Sequence, residues 1–189
     1  MTAGNEERRP GGAASKVISV VAGDTKDSTT GQSWLPVALD GVVAGLQNGT
    51  LKRPAPTVGR LTGGSHWLYA GRTNGLAGES GCGKSWAALQ AVTTEMEDGH
   101  TAVFVDFEDD EVGVVARLLS MGVDPGVIQA RFVYIHPDER FIHGKPYVDA
   151  VVEQRKPSLW VIDSTGESMA LESCDPNSDD AVATRFQLS

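Results

Sequence analysis

Apolar and polar positions along the chain switch repeatedly between a strand-like and a helix-like spacing. Thr73 to Ala77 is a short apolar-ended run that leads into a glycine-rich turn, and residues Lys84 to Asp98 then follow a helical pattern closed by Gly99. A glycine just past the last periodic residue ends a helix because it takes the left-handed conformation without a Cβ clash. Thr101 to Asp106 is an apolar run of strand length, and Glu111 to Met121 places Val112, Val115, Leu118 and Leu119 on one side of a helix that stops at Gly122. Phe132–Ile135 predicts a strand, Tyr147–Gln154 a helix, and Ser158–Ile162 a strand ending at Asp163. Strands that alternate with helices predict an α/β fold with a mostly parallel sheet and helices on both faces. No internal repeat is visible.

The first third of the chain is patterned differently. Leu35, Val37, Leu39, Val42, Val43 and Leu46 fit one face of a short helix stopping near Asn48-Gly49, and Pro54 and Pro56 force an extended connector through Val58 to about Gly64. Residues 34–64 therefore read as a lead-in that packs against the main domain at 65–189. Residues 1–33 contain no aromatic side chain and balance four acids against four bases. Val17–Val21 could pair as a short strand, but so little apolar surface does not offset the entropy of ordering, and the expectation is a disordered tail.

Composition narrows the class. With 40% hydrophobic and 22% charged residues in 189, the chain has the make-up of a globular domain. A net charge of −9, from 25 acids and 16 bases, excludes a basic patch large enough to hold nucleic acid by charge alone. Two cysteines, Cys82 and Cys174, make no disulfide framework, so a reducing, cytoplasmic location is expected. The apolar stretch from Val17 to Ala22, interrupted by Ser19, is too short for a secretory signal or a membrane span, and no membrane partner is expected.

The strongest chemical signal is Gly78-Glu79-Ser80-Gly81-Cys82-Gly83-Lys84-Ser85, a full match to G-x-x-x-x-G-K-[ST] placed between a predicted strand and a predicted helix. Backbone N–H groups can wrap a triphosphate only where side chains leave room, which Gly78, Gly81 and Gly83 provide. The helix opening at Lys84 adds unpaired N–H donors and its positive dipole end. Lys84 supplies a mobile cation for the β and γ phosphates, and the Ser85 hydroxyl a ligand for Mg²⁺. Glu79, Ser80 and Cys82 occupy the variable positions of this phosphate-binding loop.

Two acidic features complete the pattern. Leu159-Trp160-Val161-Ile162-Asp163 is an apolar strand ending in a carboxylate, which places Asp163 at the carboxyl edge of the sheet beside the loop, where it could hold Mg²⁺. A helix or turn cap would give the same local pattern. Asp106-Phe107-Glu108-Asp109-Asp110-Glu111 closes the preceding strand. Such a run is commonly a solvated loop or a helix start, yet one of its carboxylates could orient and deprotonate the water that attacks a γ-phosphate. Composition and spacing do not choose among them. His66, His100, His136 and His143 lie apart without metal-ligand spacing, and Trp67, Trp86 and Trp160 suit core or adenine-side packing better than platforms for single-stranded bases.

From Trp34 onwards the chain resembles the RepA-like branch of the RecA-like P-loop ATPases, AAA-family ATPases of actinobacteria and of their phages and mobile elements. The resemblance runs through Pro56-Thr57-Val58-Gly59-Arg60, Trp67–Glu79, Val105-Asp106-Phe107-Glu108-Asp109, Ala116-Arg117-Leu118-Leu119 with Gly122-Val123-Asp124-Pro125, Ile162–Glu167 and Asp175–Asp180. It implies ATP and Mg²⁺ as cofactors, Glu108 as the catalytic base, Lys84 and Ser85 as the loop's phosphate and metal residues, and Asp163 as the Walker B acid. It further implies a helicase-like role in DNA replication, with a homo-oligomeric ring moving on single-stranded DNA. Two other functions are compatible with the residues: a nucleotide-binding subunit that does not hydrolyse, and a small-molecule P-loop kinase.

Family members continue past the Walker B strand into further strands, a polar sensor and an arginine finger, so the sequence reads as truncated, with Arg185 too early to be that finger. In RecA-like sheets the next strand lies between the Walker B strand and the phosphate-loop strand. Thr73–Ala77 and Leu159–Ile162 are therefore expected to lack their shared neighbour, and either to stand apart or to collapse onto each other.

Overall fold

The computed structural model describes the backbone of residues 16–22 and the whole of residues 36–172. In chain order the elements are β1 (Lys16–Ala22), α1 (Asp40–Gln47), β2 (Val58–Arg60), β3 (His66–Leu68), β4 (Thr73–Gly78), α2 (Lys84–Glu97), β5 (Ala102–Asp106), α3 (Glu111–Ser120), α4 (Pro125–Arg131), β6 (Phe132–Ile135), α5 (Phe141–Arg155), β7 (Leu159–Asp163) and α6 (Thr165–Leu171). A five-stranded sheet has the order β4-β1-β7-β5-β6, and β2 and β3 form a separate antiparallel hairpin. β5 runs parallel to β6 and to β7, whereas β1 is antiparallel to both β4 and β7. The sheet is thus mostly parallel, as the alternation of elements requires, with one reversed strand inside it.

The main core lies on the face covered by α2, α3 and α4. Ala88, Leu89, Ala91, Val92 and Met96 of α2 pack with Val114 and Leu118 of α3, Ile128 of α4, and Ala102, Phe104, Leu159 and Val161 of the sheet. Each strand sends alternate residues to this face, so Ala102 and Phe104 share it with Leu159 and Val161. The opposite face is looser. Val105, Trp160 and Ile162 line a cavity of about 420 Å³ with Tyr147, Val148 and Val151 of α5, which buries none of its residues.

Local chemistry sets the helix ends. The Asp110 carboxylate accepts the Gly113 N–H at 2.7 Å and caps α3, and Asp124 accepts those of Gly126 and Val127 at 2.8 and 3.2 Å ahead of Pro125. Proline suits the first helical position because its missing N–H would be unpaired there anyway. The hairpin is clamped to α2: Glu95, buried, accepts the Gly59 N–H at 3.3 Å and the Ser158 hydroxyl at 2.7 Å, while Gln90 donates to the Arg60 carbonyl at 2.7 Å.

Four expectations are corrected. Residues 16–22, set aside with the tail, form a strand, because the slot between β4 and β7 offers it backbone partners on both sides. For the same reason the expected vacancy beside the phosphate-loop strand is filled rather than gaping or collapsed. α1 forms where its periodicity predicts, but Val37, Leu39, Val42, Val43 and Leu46 are exposed instead of packed on the domain. The connector after Pro56 is a hairpin, not merely extended chain. In addition, α4 was not expected, and α5 starts at Phe141, six residues before the predicted Tyr147, with Pro146 inside it. The remaining expectations for residues 1–15, for 23–35 and for Asp175–Asp180 and Arg185 lie outside the described residues.

Candidate functional site

β4, β5 and β7 end at one edge of the sheet, at Gly78, Asp106 and Asp163, with Asp106 level with Asp163. The segment from Gly78 to Ser85 turns over that edge into α2. Gly81 and Gly83 take φ of 78° and 91°, which L side chains seldom adopt, and a Cβ on Gly78 would lie 2.8 Å from the Cys82 Sγ. The Lys84 ammonium is folded back over the loop, donating to the Gly78 carbonyl at 3.0 Å and the Glu79 carbonyl at 2.8 Å, with the Cys82 sulfur at 3.8 Å. α2 has no side-chain cap at its start, so its first-turn N–H groups are left for a ligand or water.

Ser85, in the first turn of α2, lies close enough to the Asp163 carboxylate at the end of β7 for its hydroxyl to favour the ionised form. Burial pushes the Asp163 carboxyl above its usual range; the nearby Ser85 hydroxyl opposes this, the negative charges of Glu108 and Asp106 add to it, and Arg117 counters them. Asp106 is buried and also raised, first by desolvation, although its Oδ1 accepts the N–H groups of Glu108 and Asp109 at 2.9 and 3.1 Å. Those two bonds form an Asx-type turn that carries Glu108 out over the sheet edge, where it is exposed. The Tyr134 hydroxyl lies 3.4 Å from Asp106 Oδ2 and 3.1 Å from the Asp109 carbonyl, and Arg117 pairs with Asp109. The Phe107 N–H donates to the Asp163 carbonyl at 2.7 Å, which fixes the two acidic strand ends side by side.

The structure therefore brings together Lys84, Ser85, Asp163 and Glu108 from three separate segments, with Gly78, Gly81 and Gly83 shaping the loop and Glu79, Ser80 and Cys82 exposed on it. Sequence reasoning missed Arg117 and Tyr134 as electrostatic partners. Tyr134 had a readable signal, since a polar residue near the end of a parallel strand faces the same crevice; Arg117 had none, because its reach depends on how α3 packs.

A pH prediction follows from Asp163. Its raised value means that the folded chain keeps the proton to a higher pH than the unfolded chain, so ionising it in the fold becomes a cost as pH rises above 3.8. Asp163→Asn is expected to raise the melting temperature of the nucleotide-free chain at pH 7, with the gain fading below pH 3.8, where the wild-type carboxyl is protonated in both states. Melting curves across that range check it; a variant less stable than wild type at pH 7 contradicts the electrostatic account.

A strand-loop-helix with this glycine pattern, at the carboxyl edge of a mostly parallel sheet, defines a P-loop domain of the α/β class. The family model for the AAA domain matches residues 38–187, and the chain belongs to that family of P-loop NTPase domains. No curated protein and no solved structure matches it. Among the described residues no helix is long and apolar enough to cross a membrane.

Proposed function

We propose that the chain binds ATP with Mg²⁺ at Gly78–Ser85 and hydrolyses it as a module of a RecA-like, RepA-like replication or mobile-element ATPase. The observation that carries this reading is the convergence at one sheet edge of the Gly78–Ser85 loop, with Lys84 folded over it, and the acidic strand ends Asp106 and Asp163, the latter within reach of Ser85 and of Glu108's charge. Those residues fit Mg²⁺. The ion keeps several waters and takes phosphate oxygens plus one or two protein oxygens, so it needs no cage of protein ligands. Among the described residues no cluster of three His, Cys, Asp or Glu forms such a cage. Ser85 and Asp163 would hold the ion, which when bound neutralises charge on the phosphates.

The protein's own part is binding, orientation and proton transfer. Loop N–H groups and the start of α2 would receive phosphate oxygens, and Lys84 would exchange its loop carbonyls for them. Glu108, exposed at the same edge, is the carboxylate that would take a proton from the attacking water. A ring that moves on single-stranded DNA is part of the same reading. With a net charge of −9, grip on DNA would come from local contacts and not from overall charge.

The test is phosphate release at saturating Mg-ATP, with and without single-stranded DNA. Glu108→Gln is expected to lower turnover by about 10²- to 10⁴-fold, the usual contribution of a general base, while leaving nucleotide affinity near wild type. Turnover unchanged in Glu108→Gln would remove Glu108 from the mechanism, and stimulation by DNA absent from the wild type would count against the helicase-like role.

A further inference from the structure

Among the described residues β4 pairs in the sheet with β1, so the strand that carries the phosphate loop reaches the strand that carries Asp163 through an N-terminal segment. The register shows what that segment sets. Residues 16 to 21 of β1 span the whole of β4, from Lys16 opposite Gly78 to Val21 opposite Thr73. On its other side Ser19 stands opposite Ile162 and Ala22 opposite Leu159. Ser19 is also opposite Gly75, so Gly75 is level with Ile162 and the loop begins two residues beyond Asp163 toward the carboxyl edge. At roughly 3.3 Å per residue this offset is about 7 Å. Across this offset the loop turns over the sheet edge into α2, whose first turn carries Ser85. A slip of β1 against either neighbour would move the loop and the acid relative to each other by at least one residue.

We propose that Lys16–Ala22 is a positioning segment of the nucleotide site: pairing of this strand and binding of phosphates at Gly78–Ser85 are coupled, each strengthening the other. The inference rests on the nucleotide-binding reading above. Coupling of this kind is reciprocal, so a ligand that prefers the aligned loop must also favour the paired strand by the same factor. β1 suits the role because its direction is opposite to that of its neighbours. Its first residue lies at the phosphate loop, while the chain that links it to α1 leaves from the far edge, next to Thr73 and Leu159. The strand is thereby held at the site by its two ladders, not by a short covalent turn there.

Amide hydrogen exchange on the full chain, with and without saturating Mg-ADP, tests the proposal. Exchange at residues 17–22 is expected to slow about tenfold more than exchange in β6, the strand at the opposite edge. A strand that is merely part of the fold would gain the same factor as β6. If the loop amides of residues 81–86 slow while β1 gains no more than β6, the coupling is overturned. If the loop amides do not respond either, the nucleotide reading falls and the proposal falls with it. In the full chain, Val20→Pro deletes an N–H from a strand paired on both sides, opposite Asn74 and Val161. It should weaken Mg-ADP binding about tenfold, with Val20→Ile close to wild type. Unchanged affinity in Val20→Pro would overturn the proposal. Should Val20→Pro lose β6 protection as well, and so the fold, the wild-type exchange comparison decides.

Discussion

Lys84→Ala is expected to weaken Mg-ATP binding by roughly 10- to 100-fold, since a hydrogen bond to a charged group contributes about 1.5–3 kcal/mol. The structure gives the substitution two effects. The variant loses a cation for the phosphates, and it also loses the ammonium that gathers the Gly78 and Glu79 carbonyls over the sheet edge. Lys84→Arg separates them. It keeps the charge but replaces a compact ammonium on a flexible stem with a planar fork that cannot seat between the same two carbonyls. Partial recovery in Lys84→Arg would assign most of the effect to charge, and none would assign it to loop shape. Trp86, exposed two residues further along α2, provides a fluorescence signal for the titration. Affinity for Mg-ATP equal in Lys84→Ala and wild type would show that the loop does not bind the triphosphate.

The parts of this fold that were legible in the sequence are those whose stability is written locally. Phe132–Ile135 matches its prediction residue for residue, and α2 and α3 end within one residue of theirs, because apolar periodicity and a following Gly99 or Gly122 are local signals. The loop was readable for the same reason: its geometry demands glycine at fixed positions. β1 was not, because Val17–Val21 has the β-branched make-up of a strand but no local partner; its partners lie more than fifty residues away, and the free energy of the strand belongs to the slot. α1 failed in the opposite sense. Its sequence carries an apolar face, but whether that face meets the domain is decided outside the helix, and it stays exposed. α5 runs six residues further back than the expected Tyr147, to Phe141, with Pro146, which removes a donor, inside it. At the site, Glu108 was singled out through resemblance, because composition and spacing did not choose within the acidic run. What the other acids do is tertiary and could not be read locally: Asp106 accepts the N–H groups of a turn, Asp109 pairs with Arg117 and Asp110 caps α3.

Phe104→Ala is expected to destabilise the chain by about 3–5 kcal/mol, the range for deleting a buried aromatic ring from a packed core. Phe104 is completely buried in β5, level with Tyr134 of β6 and Val161 of β7, and its ring centroid lies 6.3 Å from that of Phe132. It shares a face with Asp106, two residues on, so the void would open directly beneath the acidic end of the strand. A loss of this size is a large part of the roughly 5–15 kcal/mol that holds a domain together. Urea unfolding of wild type and variant measures it, and a loss below about 1 kcal/mol would mean that the core collapses around the missing ring. Nucleotide then distinguishes damage to the fold from damage to the site. At about 100 times its dissociation constant a ligand that binds the folded state adds roughly 2.7 kcal/mol. If Mg-ADP at a fixed concentration stabilises Phe104→Ala as much as it stabilises wild type, the loop and Asp163 keep their alignment above a damaged core. If the increment shrinks, the strand ends have moved, and the core under Asp106 is part of what aligns the site.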